Sequence, residues 1–143
     1  MKINFYIDEH DDEHIDFYVK QITPQLQEIA NQLQNSKVTI WGIHNKEFTP
    51  LNFTKIVRLY TNHSKVFIDT IDNTYSTKYR LYQVNTLLPQ NFIQISNSEI
   101  VNFDFIDHLE LTINSTIKLI FKNHQYSYVS RRYVPKIKKR LGI

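Results

Sequence analysis

Two stretches decide how this chain is read: Asn91-Phe92-Ile93-Gln94-Ile95-Ser96-Asn97-Ser98-Glu99-Ile100-Val101-Asn102-Phe103-Asp104, and further on Ser130-Arg131-Arg132-Tyr133. In the first, apolar residues stand on both sides of the polar triplet Ser96-Asn97-Ser98. Phe92, Ile93, Ile95, Ile100, Val101 and Phe103 read as core, together with Ile56, Leu59, Phe67 and Ile106, and the triplet reads as a turn. Asn102, set among them, reads as a side chain that satisfies backbone groups at a turn. In the second stretch, Ser130 is a suitable cap for a basic terminal helix with Val134, Ile137 and Leu141 inward. Residues 131–140 hold six cations and no acid. Cations suit the C-terminal end of such a helix, but Arg131 and Arg132 stand at its start, where the dipole disfavours them. Two arginines there match an anion: a phosphate, or the edge of a guanine held two-fold.

Outward from these stretches the pattern is one of short strands. Ile56, Arg58 and Tyr60 alternate with Val57, Leu59 and Thr61, the tip Asn62-His63-Ser64-Lys65 follows, and Val66, Ile68 and Thr70 alternate again. Asp72-Asn73 turns into residues 74–78, and residues 79–88 read as a short helix stopped by Pro89. Residues 105–113 and 116–122 form a hairpin across Asn114-Ser115, and Asn123-His124 turns into residues 126–129. Toward the N-terminus, Ile3, Phe5 and Ile7 alternate, as do Ile15, Phe17 and Val19, giving two strands. Thr23-Pro24 opens a helix, and residues 37–43 make a third strand. The class is α+β and mainly β, with a small N-terminal β-β-α-β lobe over residues 1–46 and a second unit over residues 47–143.

Composition excludes several functions. With no cysteine there is no disulfide, thiolate metal site or cysteine nucleophile. Two glycines, Gly42 and Gly142, are too few for a Walker loop or a dinucleotide fingerprint. No apolar run is long enough to span a membrane, and the start is too soon acidic for a signal peptide, so the expected address is the cytoplasm. The net charge of +3 hides a split: residues 1–50 carry four basic groups against eight acids, net −4, and residues 51–143 carry thirteen against six, net +7. A partner-facing acidic front and a polyanion-binding rear fit that split; so does an uneven solvated surface.

His10-Asp11-Asp12-Glu13-His14 matches the H-x-x-E-H pattern of some zinc peptidases. That chemistry needs both histidines on one helix face and a distal third ligand. Here the segment falls between two predicted strands, so it reads as a solvated acidic turn. No catalytic residue, metal site, cofactor or small-molecule substrate is assigned.

Asn91–Asp104 with Ser130–Tyr133, in that order and spacing, resembles the signature of LytTR-type DNA-binding domains, over about Phe48 to Ile143. Gln94 stands where that family often has arginine, Asn97 where it has arginine, lysine or asparagine, and Glu99 adds a negative charge. The resemblance implies elongated, stacked β-sheets with small helices, and loops, not a recognition helix, entering successive major grooves of double-stranded DNA. It implies base contacts from His63, Lys65, Asn97 and Arg132. Phosphate contacts fall to Ser96, Ser98, Lys118, Lys122, Ser130, Arg131, Lys136 and Lys139. The N-terminal lobe is too short for a receiver domain. The chain is similar to stand-alone regulators with a short extension, often encoded beside a small membrane protein. That implies a lobe that makes a homodimer or meets the membrane protein. Two other classes stay open: an enzyme built on the His10–His14 zinc pattern, and a protein-interaction module of LytTR ancestry, since each lost phosphate contact weakens binding.

Overall fold

In the computed structural model, which describes residues 2–10, 12, 14–35 and 39–143, the Asn91–Asp104 stretch is a hairpin. Its strands belong to a seven-stranded antiparallel sheet. In chain order the elements are helix α1 (Pro24–Asn35), strands β1 (Ile40–His44), β2 (Glu47–Leu51), β3 (Ile56–Asn62), β4 (Lys65–Thr70) and β5 (Thr74–Thr77), helix α2 (Leu81–Leu87), strands β6 (Phe92–Ser96), β7 (Glu99–Asn102), β8 (Ile106–Leu111), β9 (Ile117–Phe121) and β10 (Tyr126–Tyr128), and helix α3 (Val134–Leu141). The large sheet runs β2-β1-β5-β4-β3-β7-β6, and a second sheet runs β10-β9-β8.

Strand alternation divides the apolar residues between two cores. Ile56 and Leu59 of β3, Phe92 of β6 and Ile100 of β7 face the side covered by α2, where they meet Ile40, Val66, Ile68, Leu81 and Val84. Val57, Ile93, Ile95 and Val101 face the other way, onto Ile117, Leu119 and Phe121 of the small sheet and Val134 and Ile137 of α3. The central strands are thus buried on both faces, which is why they read as near-continuous apolar runs. Phe67, expected in the core, is half-buried and stacks on Tyr60, with ring centroids 5.7 Å apart.

The same device starts β3 and β8. Asn52 and Asn102 each accept a hydrogen bond from the backbone two residues on and cap a single 3-10 turn, Phe53–Lys55 and Phe103–Phe105. Gly42 allows close packing of β1: a methyl group there would lie 2.7 Å from Tyr75 Cβ and 2.8 Å from Leu51 Cδ1. Gly42→Ala is expected to cost about 1–3 kcal/mol through overpacking, seen as a lower urea midpoint at unchanged m-value.

Three expectations need correction. The two N-terminal strands are not formed: the described residues of 2–8 and 14–19 have no regular structure, because no neighbouring strand supplies partners for their backbone groups. The third strand of the expected lobe is β1, and it joins the large sheet through β2 and β5. Nor does Ser130 cap the last helix. Ser130–Tyr133 is a turn closed by Tyr133 N–H donating to Ser130 O at 2.9 Å, and α3 starts at Val134 with Tyr133 as its N-cap. Pro135 therefore falls in the first helical turn, where its missing N–H costs nothing. Thr23 does cap α1, its Oγ1 accepting from Leu26 N–H at 3.2 Å.

At the His10–His14 pattern, Asp11 and Glu13 lie outside the described residues. The described ones are not helical, and no cluster of three metal-binding side chains occurs among the described residues. On β8, exposed His108 sits 2.6 Å from Asp107 and 3.2 Å from Glu110. Hydrogen bonding to Asp107, then to Glu110, raises its pKa above the ordinary histidine value. The imidazolium therefore adds stability below the unfolded-state pKa and loses it as pH rises through the folded one. An NMR titration should place His108 above 6.5 and move it downward in Asp107→Asn.

Candidate nucleic-acid interface

Three turns predicted to meet DNA are tied together by hydrogen bonds. The β3–β4 turn is His63-Ser64, the β6–β7 turn is Asn97-Ser98, and the third is the Ser130–Tyr133 turn before α3. Thr61 N–H donates to Ser98 O at 2.8 Å, joining the first turn to the second. Ser130 N–H donates to Ile95 O at 2.9 Å, and Tyr133 OH donates to Asn97 Oδ1 at 2.9 Å, joining the second to the third.

Each turn has a local cause. His63 and Ser64 both adopt positive φ, 48° and 63°, the geometry of a tight two-residue hairpin turn. Two non-glycine residues there hold the exposed imidazole and hydroxyl at the hairpin tip at some conformational cost. In the second turn, Gln94 Nε2 donates to Ser96 O at 3.0 Å and Ser96 Oγ accepts from Ser98 N–H at 3.2 Å. Gln94 thus shapes the turn from within, at the position where the family often carries arginine. Asn97 is exposed; Tyr133 OH occupies one lone pair of its Oδ1, and its Nδ2 carries two N–H donors. In the third turn Arg131 and Arg132 are exposed, and neither has a carboxylate partner among the described residues.

Glu99 adds no free charge to this edge. Its side chain is 15% exposed; it accepts from Arg58 Nη1 at 3.3 Å and from Ser127 Oγ at 2.7 Å, while Arg58 also pairs with Asp69 at 2.8 Å. Burial alone would lower the Arg58 pKa; the bonds and charges of Asp69 and Glu99 outweigh it and raise it. The Glu99 departure is thus an internal tie between the two sheets.

The structure brings together His63, Ser96, Asn97, Ser98, Ser130, Arg131 and Arg132, with exposed Lys65 beside the first turn. Lys136 and Lys139 are exposed on α3, whose Val134 and Ile137 are buried. Lys118 pairs on β9 with Tyr128, two residues before Ser130, and Lys122 lies past the other end of that strand. Lys118 Nζ sits 4.3 Å from the Tyr126 ring centroid and 6.0 Å from that of Tyr128. Lys122 follows the end of β9 opposite Ile117, whose carbonyl receives Val129 N–H near the third turn. Two neighbours are not singled out by sequence. Exposed Arg80, just before α2, shares a depression of about 580 Å³ with Ser64, Gln94 and Asn97. The Asn114-Ser115 turn lines a second, of about 480 Å³, with Arg131. Lone cations and polar turns carry no spacing signal that marks such placements.

The family model of the LytTr DNA-binding domain matches residues 46–142. The chain belongs to the LytTr DNA-binding domain family. Its fold is similar to the LytTr DNA-binding domain of a Bacillus cereus protein described as a methyl-accepting/DNA response regulator, at TM-score 0.71 and 28% identity, covering 75% of this chain and 99% of that one. The chain is also similar to uncharacterised HTH-type transcriptional regulators of Staphylococcus aureus strains NCTC 8325 and COL. Each is 34% identical over 146 residues, covering 100% of this chain and 99% of the relative. As a LytTr chain it carries its tethered turns where the signature stretches fall, at the β6–β7 and pre-α3 positions. Tyr133 links those two stretches, so Tyr133→Phe should weaken binding to a cognate duplex by about 3- to 10-fold, the worth of one hydrogen bond, at unchanged salt slope in a fluorescence titration.

Proposed function

We propose that this DNA-binding transcriptional regulator reads its operator through the His63-Ser64, Asn97-Ser98 and Ser130–Tyr133 turns, placed in successive major grooves on one face of the duplex. The observation that carries this reading is the tethering of all three turns on a double-sheet scaffold, with two exposed arginines that have no carboxylate partner among the described residues. In this reading His63, Lys65, Asn97 and Arg132 contact bases, while Ser96, Ser98, Ser130, Arg131, Lys136 and Lys139 contact phosphates and set register. Lys118, on β9 opposite Tyr128, and Lys122, past the other end of that strand, are the two outlying phosphate contacts of this reading. α1, α2 and α3 are separated by strands, so among the described residues no two helices form a helix-turn-helix pair, whatever the relatives are called. Hydroxyl-radical footprinting tests the geometry: protections on one face repeating at about 10–10.5 bp support it, and continuous protection of both faces contradicts it.

The same reading gives residues 47–143 the DNA work and residues 1–46 a partner role, in the cytoplasm, as a homodimer contact or a contact to a small membrane protein encoded nearby. No helix among the described residues is long and apolar enough to cross a membrane. The acidic charge of the N-terminal segment and its exposed apolar side chains support a partner role.

A further inference from the structure

Among the described residues, the N-terminal arm (residues 2–22) carries several apolar side chains that are largely exposed. Phe5, Tyr6, Ile7 and Tyr18 are each at least 90% exposed, and Ile3 is 71% exposed. Period-two alternation in the arm is that of a strand lacking a sheet, and exposed apolar surface of this extent marks an interaction site.

The large sheet presents a matching surface. Its register lines up Phe48, Ile43, Ser76, Phe67, Tyr60 and Glu99 across β2, β1, β5, β4, β3 and β7. At the Glu99 end the row is covered by the small sheet, through Ser127. At the other end the cover stops: Phe48 is 58% exposed, and Trp41, two residues from Ile43 on the same face, is 48% exposed. A cation rims the open end of this row, with Lys78 Nζ 5.6 Å from the Phe48 ring centroid. The arm has the opposite charge, two lysines against six carboxylates.

We infer that the arm of one copy docks on the Trp41–Phe48 face of a second copy, in a reciprocal exchange about a twofold axis. Arm and face belong to the same chain, so each copy offers both parts and the reciprocal contact closes as a dimer. An arm of about 20 residues on each side is the size of a standard stable interface. Two acidic arms would repel one another, so arm against basic-rimmed face is the favoured pairing. The inference rests on the homodimer reading above and is independent of how DNA is read.

Light scattering after gel filtration tests it on the full chain, with circular dichroism to confirm folding. Wild type should be a dimer. An arm variant, Phe5→Asp with Phe17→Asp, and a face variant, Trp41→Ala with Phe48→Asp, should each dissociate to monomer, their dimer weakened by roughly 30-fold or more, as expected for aromatic anchors. The surface change Lys78→Glu should weaken the dimer in the same direction. Mixing the two double variants should restore a weak dimer, because one intact arm then meets one intact face. A wild-type dimer with variants that remain dimeric, or with a mixture that stays monomeric, overturns the arm-to-face contact. A wild-type monomer at high concentration overturns the homodimer reading as well and leaves the surface to a different protein.

Discussion

Arg132→Ala is expected to lower affinity for the cognate duplex by about 1–3 kcal/mol, roughly 5- to 150-fold, while affinity for a scrambled duplex changes far less. The reason is the difference between a base contact and a phosphate contact. Arg132 is exposed in the turn before α3 without a carboxylate partner among the described residues, so its fork is available to the two acceptors of a guanine. A lysine there would keep the charge but lose the two-fold geometry, so Arg132→Lys should recover non-specific binding and little of the preference. Arg131→Ala is the internal comparison. As a phosphate contact it should weaken cognate and scrambled duplexes alike and lower the salt slope by about one. Equal losses on both duplexes for Arg132→Ala would move it to the phosphate group.

The largest effect on stability is expected at Asn102, which has no DNA role in this account. Its side chain is fully buried. Nδ2 donates to Ile56 O at 2.8 Å, while Oδ1 accepts from Asp104 N–H and from Asn91 Nδ2, both at 2.9 Å. It therefore pins the start of β3 to the end of β7 and caps the 3-10 turn that leads into β8. Asn102→Ala strands a buried carbonyl and removes the cap, at an expected cost of about 2–4 kcal/mol. In thermal unfolding this is a fall of roughly 10 °C. Asn102→Asp keeps the acceptor but buries a charge and loses the donor, and should be at least as damaging. Protein still folded at low temperature should keep its preference between duplexes. A variant as stable as wild type would show that the three bonds contribute nothing net.

Residues 47–143 were legible because local signals agreed there with the fold. Alternation located β3, β4 and β9, Pro89 ended α2, and the polar pairs His63-Ser64, Asn97-Ser98 and Asn114-Ser115 marked turns. The candidate turns were legible for the same reason, since adjacent arginines and polar tips stand out against apolar strands. What pairing in three dimensions decides was not legible. The alternation of residues 2–8 and 14–19 is a strand pattern, but a strand needs an edge, and none of the described elements supplies one. Ser130 has the chemistry of a helix cap, yet its backbone closes the turn to Tyr133 and its N–H is held by Ile95. Glu99 looked like a charge facing DNA because sequence cannot show that Arg58 and Ser127 enclose it. That Lys118 lies over Tyr126 and Lys122 past the far end of β9 follows from the register of the small sheet, which sequence does not show.

The central claim, that tethered turns read sequence and basic residues hold phosphate, is tested most directly by fluorescence anisotropy across a salt series. The duplex upstream of the protein's own gene is compared with a scrambled duplex, for wild type and Arg132→Ala. The account predicts a clear preference for the upstream duplex that persists at physiological salt and collapses in Arg132→Ala. Weak binding, equal for both duplexes and vanishing by physiological salt, would contradict it and leave only a basic surface.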